Sequence, residues 1–250
     1  MINKILLSVF SLIAAPFILQ AQIVTLDYYF NHEVHKTASG QQERFHYLWE
    51  DKDISGFSIW GEAFKNAGAK LTSLDKAPDA AGLKKSNIYI IVDPDTKKES
   101  QNPNYINAKD IAQIEKWVKA GGVLVMMAND SANVELPHFN NDLQNHVIDD
   151  NHFQDGGMIT TGNPIFKSAN KVFMKDVCSI SISGPAKPGL KNNNGAVIIA
   201  IAKYGKGTVF AVGDPWLYNE YTNGRLPAEY ENNKAANDVA QWLIRQIPSK

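Results

Sequence analysis

Cysteine is almost missing from this 250-residue chain, since Cys178 is its only one. A single thiol excludes an intrachain disulfide and a zinc site built from cysteines. Cys178 lies in the segment Val177-Cys178-Ser179-Ile180-Ser181-Ile182, where side chains alternate as they do along a strand. This pattern predicts a buried structural thiol, and a catalytic nucleophile is the alternative.

The chain also lacks an excess of charge of either sign. Its 25 Lys and Arg residues offset 26 Asp and Glu residues, which leaves a net charge of −1. Such a balance disfavours nucleic acid or an anionic membrane surface as a partner. Repeats, low-complexity segments and linkers are missing as well, so residues 22–250 are predicted to form one α/β domain with a large core.

A long hydrophobic run occurs only at the N-terminus. Lys4 supplies a positive charge, Ile5 to Leu19 is almost entirely apolar, and Ala21 offers a small residue for cleavage. An apolar run of about 15 residues is too short to span a bilayer comfortably. We predict a signal peptide over residues 1–21, a mature chain that begins at Gln22 without a membrane span, and a periplasmic or secreted location. An uncleaved membrane anchor is the alternative.

Strand and helix patterns alternate in the first half of the chain. Ile88–Val92 and Val123–Met127 are unbroken apolar runs, typical of strands buried on both faces of a parallel sheet. Further strands are predicted at 23–28, 70–74, 171–173, 177–182, 196–202 and 208–212, and helices at 54–67, 107–120 and 232–247. Residues 203–207 resemble a hairpin turn. The prediction is a mostly parallel central sheet flanked by helices, with an antiparallel C-terminal extension.

Three segments resemble the class I glutamine amidotransferase-like fold, which is flavodoxin-like. They are Ile88–Asp95, the segment Trp117–Val125 with its Gly-Gly stop, and Gly205–Asp214. The mature chain is similar, more narrowly, to exported members of this superfamily that accompany unsaturated glycuronyl hydrolases in polysaccharide-degrading bacteria. The stretch Gly213-Asp214-Pro215-Trp216 is the most particular part of this resemblance. Amidotransferases carry a nucleophilic cysteine after a central strand, where this chain has Met127-Ala128-Asn129-Asp130-Ser131, so glutamine hydrolysis is excluded.

Open α/β sheets bind ligands at the carboxyl ends of their strands, and four loops are predicted there. The loops follow the strands that end near residues 28, 92, 127 and 212, and they contain every histidine except His152. His32, His35 and His46 are candidate general acids and bases, because imidazole titrates near neutral pH. No metal-ligand motif accompanies them, so neither a metal nor another cofactor is predicted. Surface or structural histidines are the alternative.

The last loop has the composition of a sugar site. Aromatic rings stack on the apolar faces of sugars while amides, carboxylates and guanidinium groups bind the hydroxyls and acids. Tyr218 is predicted to act in catalysis, and Arg225 to pair with a uronate carboxylate. The predicted substrate-binding residues are Trp49, Asp214, Trp216, Asn219, Glu220, Asn223 and Arg225. Core packing for Trp216 and a solvated surface charge for Arg225 are the alternatives.

Three functions are compatible with these residues. The first, suggested by the glycuronide context of the resemblance, is a lyase or dehydratase that removes the C5 proton of a terminal uronic acid and expels the group at C4. The second is a sugar-binding accessory module without catalysis. The third is a glycoside hydrolase with Asp214 and Glu220 as its carboxylate pair. We expect the first, with a uronic-acid oligosaccharide as substrate, and the oligomeric state stays open.

Overall fold

The computed structural model describes residues 21–129, 146–148, 153–213, 216–219 and 223–249. Residues 1–20 of the predicted signal peptide lie outside these ranges, as do Asp214, Glu220 and the side chain of Trp216. The strands are β1 (Ile23–Asp27), β2 (Val34–Lys36), β3 (Gln42–Arg44), β4 (Lys70–Leu74), β5 (Ile88–Val92), β6 (Val123–Met127), β7 (His146–Ile148), β8 (Phe153–Ile159), β9 (Lys171–Val177), β10 (Ile180–Ile182), β11 (Lys187–Lys191), β12 (Val197–Tyr204) and β13 (Gly207–Val212). The helices are α1 (Ser58–Asn66), α2 (Ala80–Leu83), α3 (Ala108–Lys119), α4 (Asn232–Arg245) and a short 3₁₀ helix at Trp216–Tyr218.

Seven strands form the central sheet in the order β11-β12-β13-β6-β5-β1-β4. The strands from β13 to β4 are parallel to their neighbours, whereas β12 and β11 add antiparallel pairs at one edge. This confirms the α/β fold and the antiparallel extension predicted from the sequence. The chain places β4 on one side of β1 and β5 on the other, so the direction of strand addition reverses between β1 and β5.

The two faces of the sheet are covered by different helices. Ile88, Ile90 and Val92 pack in one core with α1 and α4, while Tyr89 and Ile91 pack in a second core with α3. Every residue of β5 and of β6 is buried, as their unbroken apolar runs predict. None of the helices within the described residues has the length and apolarity that crossing a membrane requires.

The helix bounds follow from the backbone hydrogen bonds near their ends. Asn107 accepts from the backbone N–H groups of Lys109 and Asp110, and this capping box begins α3 where it is predicted. Helix α1 begins at Ser58 rather than at the predicted Ile54. The preceding backbone is used in a loop instead, because Tyr47 N–H donates to Ser55 O at 2.9 Å and Phe57 N–H donates to Leu48 O at 3.0 Å.

The strand predicted over residues 177–182 is interrupted, and this is a correction. Strand β9 ends at Val177 and β10 begins at Ile180, since Asp176 adopts φ 54° and Cys178 N–H donates to Gly213 O at 2.8 Å. Cys178 is fully buried, and its Sγ donates to Asn129 O at 2.9 Å. The thiol is therefore enclosed between the ends of the central strands.

The sequence analysis also missed the short hairpin formed by β2 and β3. Val34 pairs with Arg44 and Lys36 with Gln42, and most of the hairpin is exposed, so it lacks the apolar alternation that marks a half-buried strand. The hairpin extends from the carboxyl end of β1 and then brings the chain back towards it. Its two ends therefore lie at the edge of the sheet where ligands bind in folds of this kind.

Candidate active site

The loops that follow β1 and β5 meet where the direction of strand addition reverses. The two strands are neighbours, with Leu26 opposite Ile90. Asn31 Nδ2 donates to Asp93 O at 2.8 Å, and Asp95 N–H donates to Phe30 O at 2.9 Å. In open α/β sheets this reversal opens a crevice at the carboxyl edge. The two loops together hold His32, Glu33, Asp93 and Asp95.

Asp27, the last residue of β1, shapes the first of these loops. Its Oδ2 accepts from the backbone N–H groups of Phe30 at 2.7 Å and Tyr29 at 3.2 Å, and its Oδ1 accepts from the Tyr89 hydroxyl at 2.6 Å. Burial raises the pKa of Asp27 to about 7, even though these hydrogen bonds favour the ionised carboxylate. The carboxyl therefore fixes the turn that carries Asn31 and His32.

His46 and Glu33 form a close pair at the two ends of the hairpin. The His46 Nδ1 atom lies 2.6 Å from Glu33 Oε1. His46 and Tyr47 both have positive φ, at 64° and 51°, which turns the chain back towards the sheet after β3. Burial lowers the pKa of His46, but the hydrogen bond and charge of Glu33, with the charges of Asp93 and Asp51, raise it above its usual value. The pair thus favours a protonated imidazole.

His32 and Asp95 form a second pair. The His32 Nδ1 atom lies 3.1 Å from Asp95 Oδ2, although the ring is not aligned for a hydrogen bond, and the His32 backbone N–H donates to the same oxygen at 3.2 Å. Burial raises the pKa of Asp95 to about 6. In both pairs the carboxylate contacts Nδ1, so Nε2 is the nitrogen directed elsewhere; Nε2 of His32 lies 3.4 Å from Ser100 Oγ.

Asp93 and Tyr47 lie next to the His46–Glu33 pair. The Tyr47 hydroxyl donates to Asp93 Oδ2 at 3.2 Å. Burial raises the pKa of Asp93 to about 7, helped by the charge of Glu33, although the residue keeps some contact with solvent. Asp93 has φ 38°, a conformation that costs free energy in a non-glycine residue, and strained backbone of this kind clusters at functional sites. A carboxyl that titrates near neutral pH can both donate and accept protons there.

Arg44 brings a positive charge to this group. Its Nη2 donates to Tyr28 O at 2.7 Å and to Asn31 O at 3.0 Å, and its guanidinium lies 4.6 Å from the centre of the Tyr28 ring. Within the described residues, neither the buried Arg44 Nε nor the buried Asn31 Oδ1 has a hydrogen-bond partner.

The remaining predicted site residues are placed elsewhere. His35 is exposed on β2, with its ring 4.8 Å from that of Phe45. Trp49 packs beside Trp60, and its indole N–H donates to Thr72 O at 3.0 Å. Tyr218 is buried and stacks on Trp60 at 4.5 Å. The structure therefore joins His32 and His46 in one group, whereas Trp49 and Tyr218 contribute to the packing around α1.

The polar residues predicted as a sugar site in the last loop are not brought together with the two histidines. Asn219 is buried, while Asn223 and Arg225 are exposed. Asn223 Oδ1 accepts from Asn233 Nδ2 at 2.7 Å. Asp214, Glu220 and the side chain of Trp216 lie outside the described part of the chain. Among the residues that are described, no three His, Cys, Asp or Glu side chains are arranged to hold a metal ion.

Five residues around His32 and His46 were not among the predicted site residues. They are Glu33, Arg44, Tyr47, Asp93 and Asp95. One sequence signal was available for two of them, because Asp93-Pro94-Asp95 directly follows the buried strand β5. The other three are brought to the site by the hairpin and by the left-handed backbone at residues 46 and 47. Neither feature is visible in the hydrophobic pattern.

Comparison with known proteins gives structural similarity only. No protein-family model and no curated protein sequence matches the chain. The mmIFT52 N-terminal domain superposes with a TM-score of 0.65 at 14% identity, covering 89% of this chain and 97% of that one. Cytoplasmic Protein STM3548 from Salmonella typhimurium gives a TM-score of 0.58 at 12% identity, covering 88% and 98%. These identities establish the α/β fold and nothing about activity.

An enzyme of carbohydrate metabolism also contains this fold. The exo-β-1,4-mannosidase Op5Man5 from Opitutaceae bacterium strain TAV5 superposes with a TM-score of 0.54 at 13% identity. The match covers 92% of this chain but 37% of the mannosidase chain. None of these three names refers to a glutamine amidotransferase, so that resemblance stays a prediction.

Proposed function

We propose that this chain is an exported acid–base enzyme that eliminates a group from a terminal uronic acid of an oligosaccharide. The observation that carries the proposal is the presence of two histidine–carboxylate pairs on the loops that follow β1 and β5, His32 with Asp95 and His46 with Glu33. An elimination needs one group that removes a proton and another that supplies one. Export by a signal peptide and membership of the amidotransferase-like superfamily are parts of the same proposal.

His32 is the proposed base. Asp95 contacts Nδ1 and thereby orients the ring, which leaves Nε2 to accept the C5 proton of the uronic acid. The C5–H bond breaks, and its electron pair forms the C4–C5 double bond as the C4–O bond breaks. The misaligned contact with Asp95 is of the kind that tightens when substrate binds.

His46 is the proposed acid, because the hydrogen bond and charge of Glu33 raise the pKa of its imidazole against the effect of burial and so favour the protonated form. A proton from Nε2 passes to the departing oxygen at C4 and balances the proton taken at C5. If that oxygen belongs to a hydroxyl group, the product is water and the enzyme is a dehydratase. If it belongs to a glycosidic bond, the chain is cleaved.

The substrate carboxylate must be accommodated in a crevice rich in acidic side chains. Arg44 is the cation at this position, and it replaces Arg225 in the proposal because Arg225 is exposed in another loop. Asp93, with a pKa of about 7, is largely neutral in mildly acidic solution and can then donate a hydrogen bond to the carboxylate. Neutral Asp93 and cationic Arg44 together offset the repulsion from Glu33.

The decisive experiment uses the mature protein and short oligosaccharides that end in a saturated glucuronic acid. Elimination creates a double bond conjugated with the carboxylate, so ultraviolet absorbance rises. A dehydratase lowers the mass by one water without shortening the chain, and a chain-cleaving lyase releases a fragment. His32→Ala and His46→Ala are each expected to lower the rate at least ~10²-fold. Glu62→Gln, on the exposed side of α1, is the matched control and should retain the rate.

The other outcomes identify the competing functions. Chain cleavage without new absorbance indicates a glycoside hydrolase. Binding without any change in mass or absorbance, across a panel of uronic-acid oligosaccharides, indicates an accessory sugar-binding module. Elimination that survives both histidine substitutions in folded protein contradicts the assigned acid and base.

A further inference from the structure

A cavity of about 310 Å³ lies beside the β2–β3 hairpin. This volume is at the lower end of the ~300–1,000 Å³ typical of small-molecule sites. Phe45 contributes a half-buried ring to its wall, and the acidic residues of the wall are Glu43, Glu50, Asp51 and Asp53. The basic residues of the wall are Arg44 and Lys52, and His35 also lines the cavity. The cavity therefore combines an aromatic surface with an excess of negative charge.

The cavity is connected to the crevice through two of its residues. Arg44 lines the cavity and also donates to the backbone oxygens of Tyr28 and Asn31 in the first site loop. Asp51 lines the cavity, and its charge helps to raise the pKa of His46. A ligand longer than one sugar that occupies the histidine pairs thus has the cavity as its neighbouring space.

The composition of the wall selects among sugars. An aromatic ring packs against the apolar C–H face of any hexose, while carboxylates accept hydrogen bonds from hydroxyl and ammonium groups. Four carboxylates against two cations repel a second uronate and attract an ammonium group, since exposed charges interact over several ångströms in water. In a sugar complex, aromatic packing would contribute to the binding of any hexose, and the charges of the wall would distinguish one hexose from another.

We propose that this cavity is a second sugar subsite, which takes a hexose unit without negative charge and binds it most tightly when it carries a free ammonium group. The substrate would then place a uronic acid at the histidine pairs and a non-acidic or amino sugar in the cavity. The assignment of the first unit rests on the proposed function. The choice of a sugar for the second unit rests on the proposed function as well, while the preference for a cationic over an anionic unit follows from the residues of the cavity's own wall.

The test titrates the full mature protein with the methyl glycosides of glucosamine, glucose and glucuronic acid at equal ionic strength. Binding is followed through the NMR signals of His35 and Phe45, which line the cavity. The expected order of affinity is glucosamine, then glucose, then glucuronic acid. Added salt should reduce the preference for glucosamine over glucose, because the charges are exposed.

Variants that remove one negative charge from the cavity wall test whether these carboxylates cause the preference for glucosamine over glucose. Glu43→Gln and Asp53→Asn should each weaken the preference for glucosamine about two- to fivefold, the scale of one exposed charge pair. Glu62→Gln removes the same charge from α1, outside the cavity, and should leave the preference unchanged. Equal affinity for the three glycosides, tightest binding of glucuronic acid, or no shift of the two signals would each overturn the subsite.

Failure of this inference can be told apart from failure of the proposed function. If elimination occurs in the ultraviolet assay but the order of glycoside affinity is not as expected, only the subsite is wrong. If the order is as expected and no elimination occurs, the subsite stands and the lyase reaction is wrong.

Discussion

At the scale of single residues, the site depends on carboxylates that face histidines. Glu33 is the clearest case, because its carboxylate lies 2.6 Å from His46 Nδ1 and counteracts the effect of burial on that imidazole. Glu33 itself is mostly buried. It acts through His46 as a positioning residue rather than on substrate.

Glu33→Gln is therefore expected to lower the pKa of His46. Burial lowers this pKa, and the variant removes the negative charge of Glu33 that counteracts it. The acid form of His46 would be lost at a lower pH, so the alkaline limb of the activity profile should move to lower pH. An NMR titration of the His46 ring measures the shift without any assay of activity. A titration curve identical to that of the wild-type protein would contradict the assigned pairing, and Glu62→Gln serves as the control.

Asp27 leads to a prediction about stability. Its pKa is about 7 in the folded protein, against an ordinary value of 3.8, so the native state binds this proton more tightly than the unfolded chain does. The contribution of Asp27 to the free energy of unfolding is therefore complete below about pH 4 and declines as the pH rises to about 7. The size of this shift corresponds to about 4 kcal/mol at most.

Asp27→Asn should flatten this dependence on pH while lowering stability overall. The amide cannot accept all the hydrogen bonds that Phe30, Tyr29 and Tyr89 donate to the carboxyl group. Urea unfolding at several pH values between about 4 and 8 measures both effects. Asp75→Asn, at an exposed position after β4, is the matched control and should keep the wild-type slope. A wild-type slope in Asp27→Asn would show that other groups cause the dependence.

At the scale of elements, the backbone at the end of β13 packs directly against the backbone of the segment between β9 and β10, which leaves no room for a side chain at Gly213. A Cβ atom on Gly213, directly after β13, would lie 1.8 Å from the carbonyl oxygen of Cys178. The two residues are also joined by the hydrogen bond from Cys178 N–H to Gly213 O. Glycine is needed here because of this close approach between backbones.

Gly213→Ala should consequently destabilise the protein by more than ~2 kcal/mol, because backbone atoms must move apart. Gly82→Ala is the matched control, since its nearest contacts are side-chain atoms at 3.2 Å, and alanine favours the α2 helix. Chemical denaturation of both variants gives the comparison. Equal stability of Gly213→Ala and wild type would contradict the close contact between β13 and the segment before β10.

The elements that the sequence analysis identified are those whose signal is local. Strands β5 and β6 are unbroken apolar runs, and α3 has its own cap, so each is recognisable from its own residues. The β2–β3 hairpin and the break at Cys178 depend on partners distant in sequence, such as Gly213. For the same reason His32 and His46 could be proposed from residue type alone. Asp95 became the partner of His32 through the pairing of β1 with β5, and Glu33 became the partner of His46 through the β2–β3 hairpin.

At the scale of the whole molecule, the two halves of the chain have different tasks. The crevice is built from residues between Asp27 and Asp95, while the C-terminal half contributes an edge of the sheet and α4. The two are joined at Trp60, whose indole N–H donates to Ala236 O at 3.1 Å and whose ring stacks on Tyr218. Tyr218, which was predicted to act in catalysis, thus helps Trp60 to hold α1 and α4 together on one face of the sheet.

The last prediction concerns the N-terminus of the mature chain. Cleavage after Ala21 would leave Gln22, whose carbonyl accepts from Lys70 N–H at 2.8 Å, directly before Ile23, whose N–H donates to Asn87 Oδ1 at 2.8 Å. The two bonds join the start of β1 to β4 and to the residue before β5, so a cut before Gln22 preserves them. If the proposed signal peptide is correct, protein recovered from the periplasm or the medium begins at Gln22 by mass spectrometry. A variant that begins at Val24 loses both bonds and should unfold at a lower urea concentration than one that begins at Gln22. Exported protein that retains Met1 would contradict the signal peptide, and equal stability of the two shortened chains would contradict the structural reason given for the cleavage point.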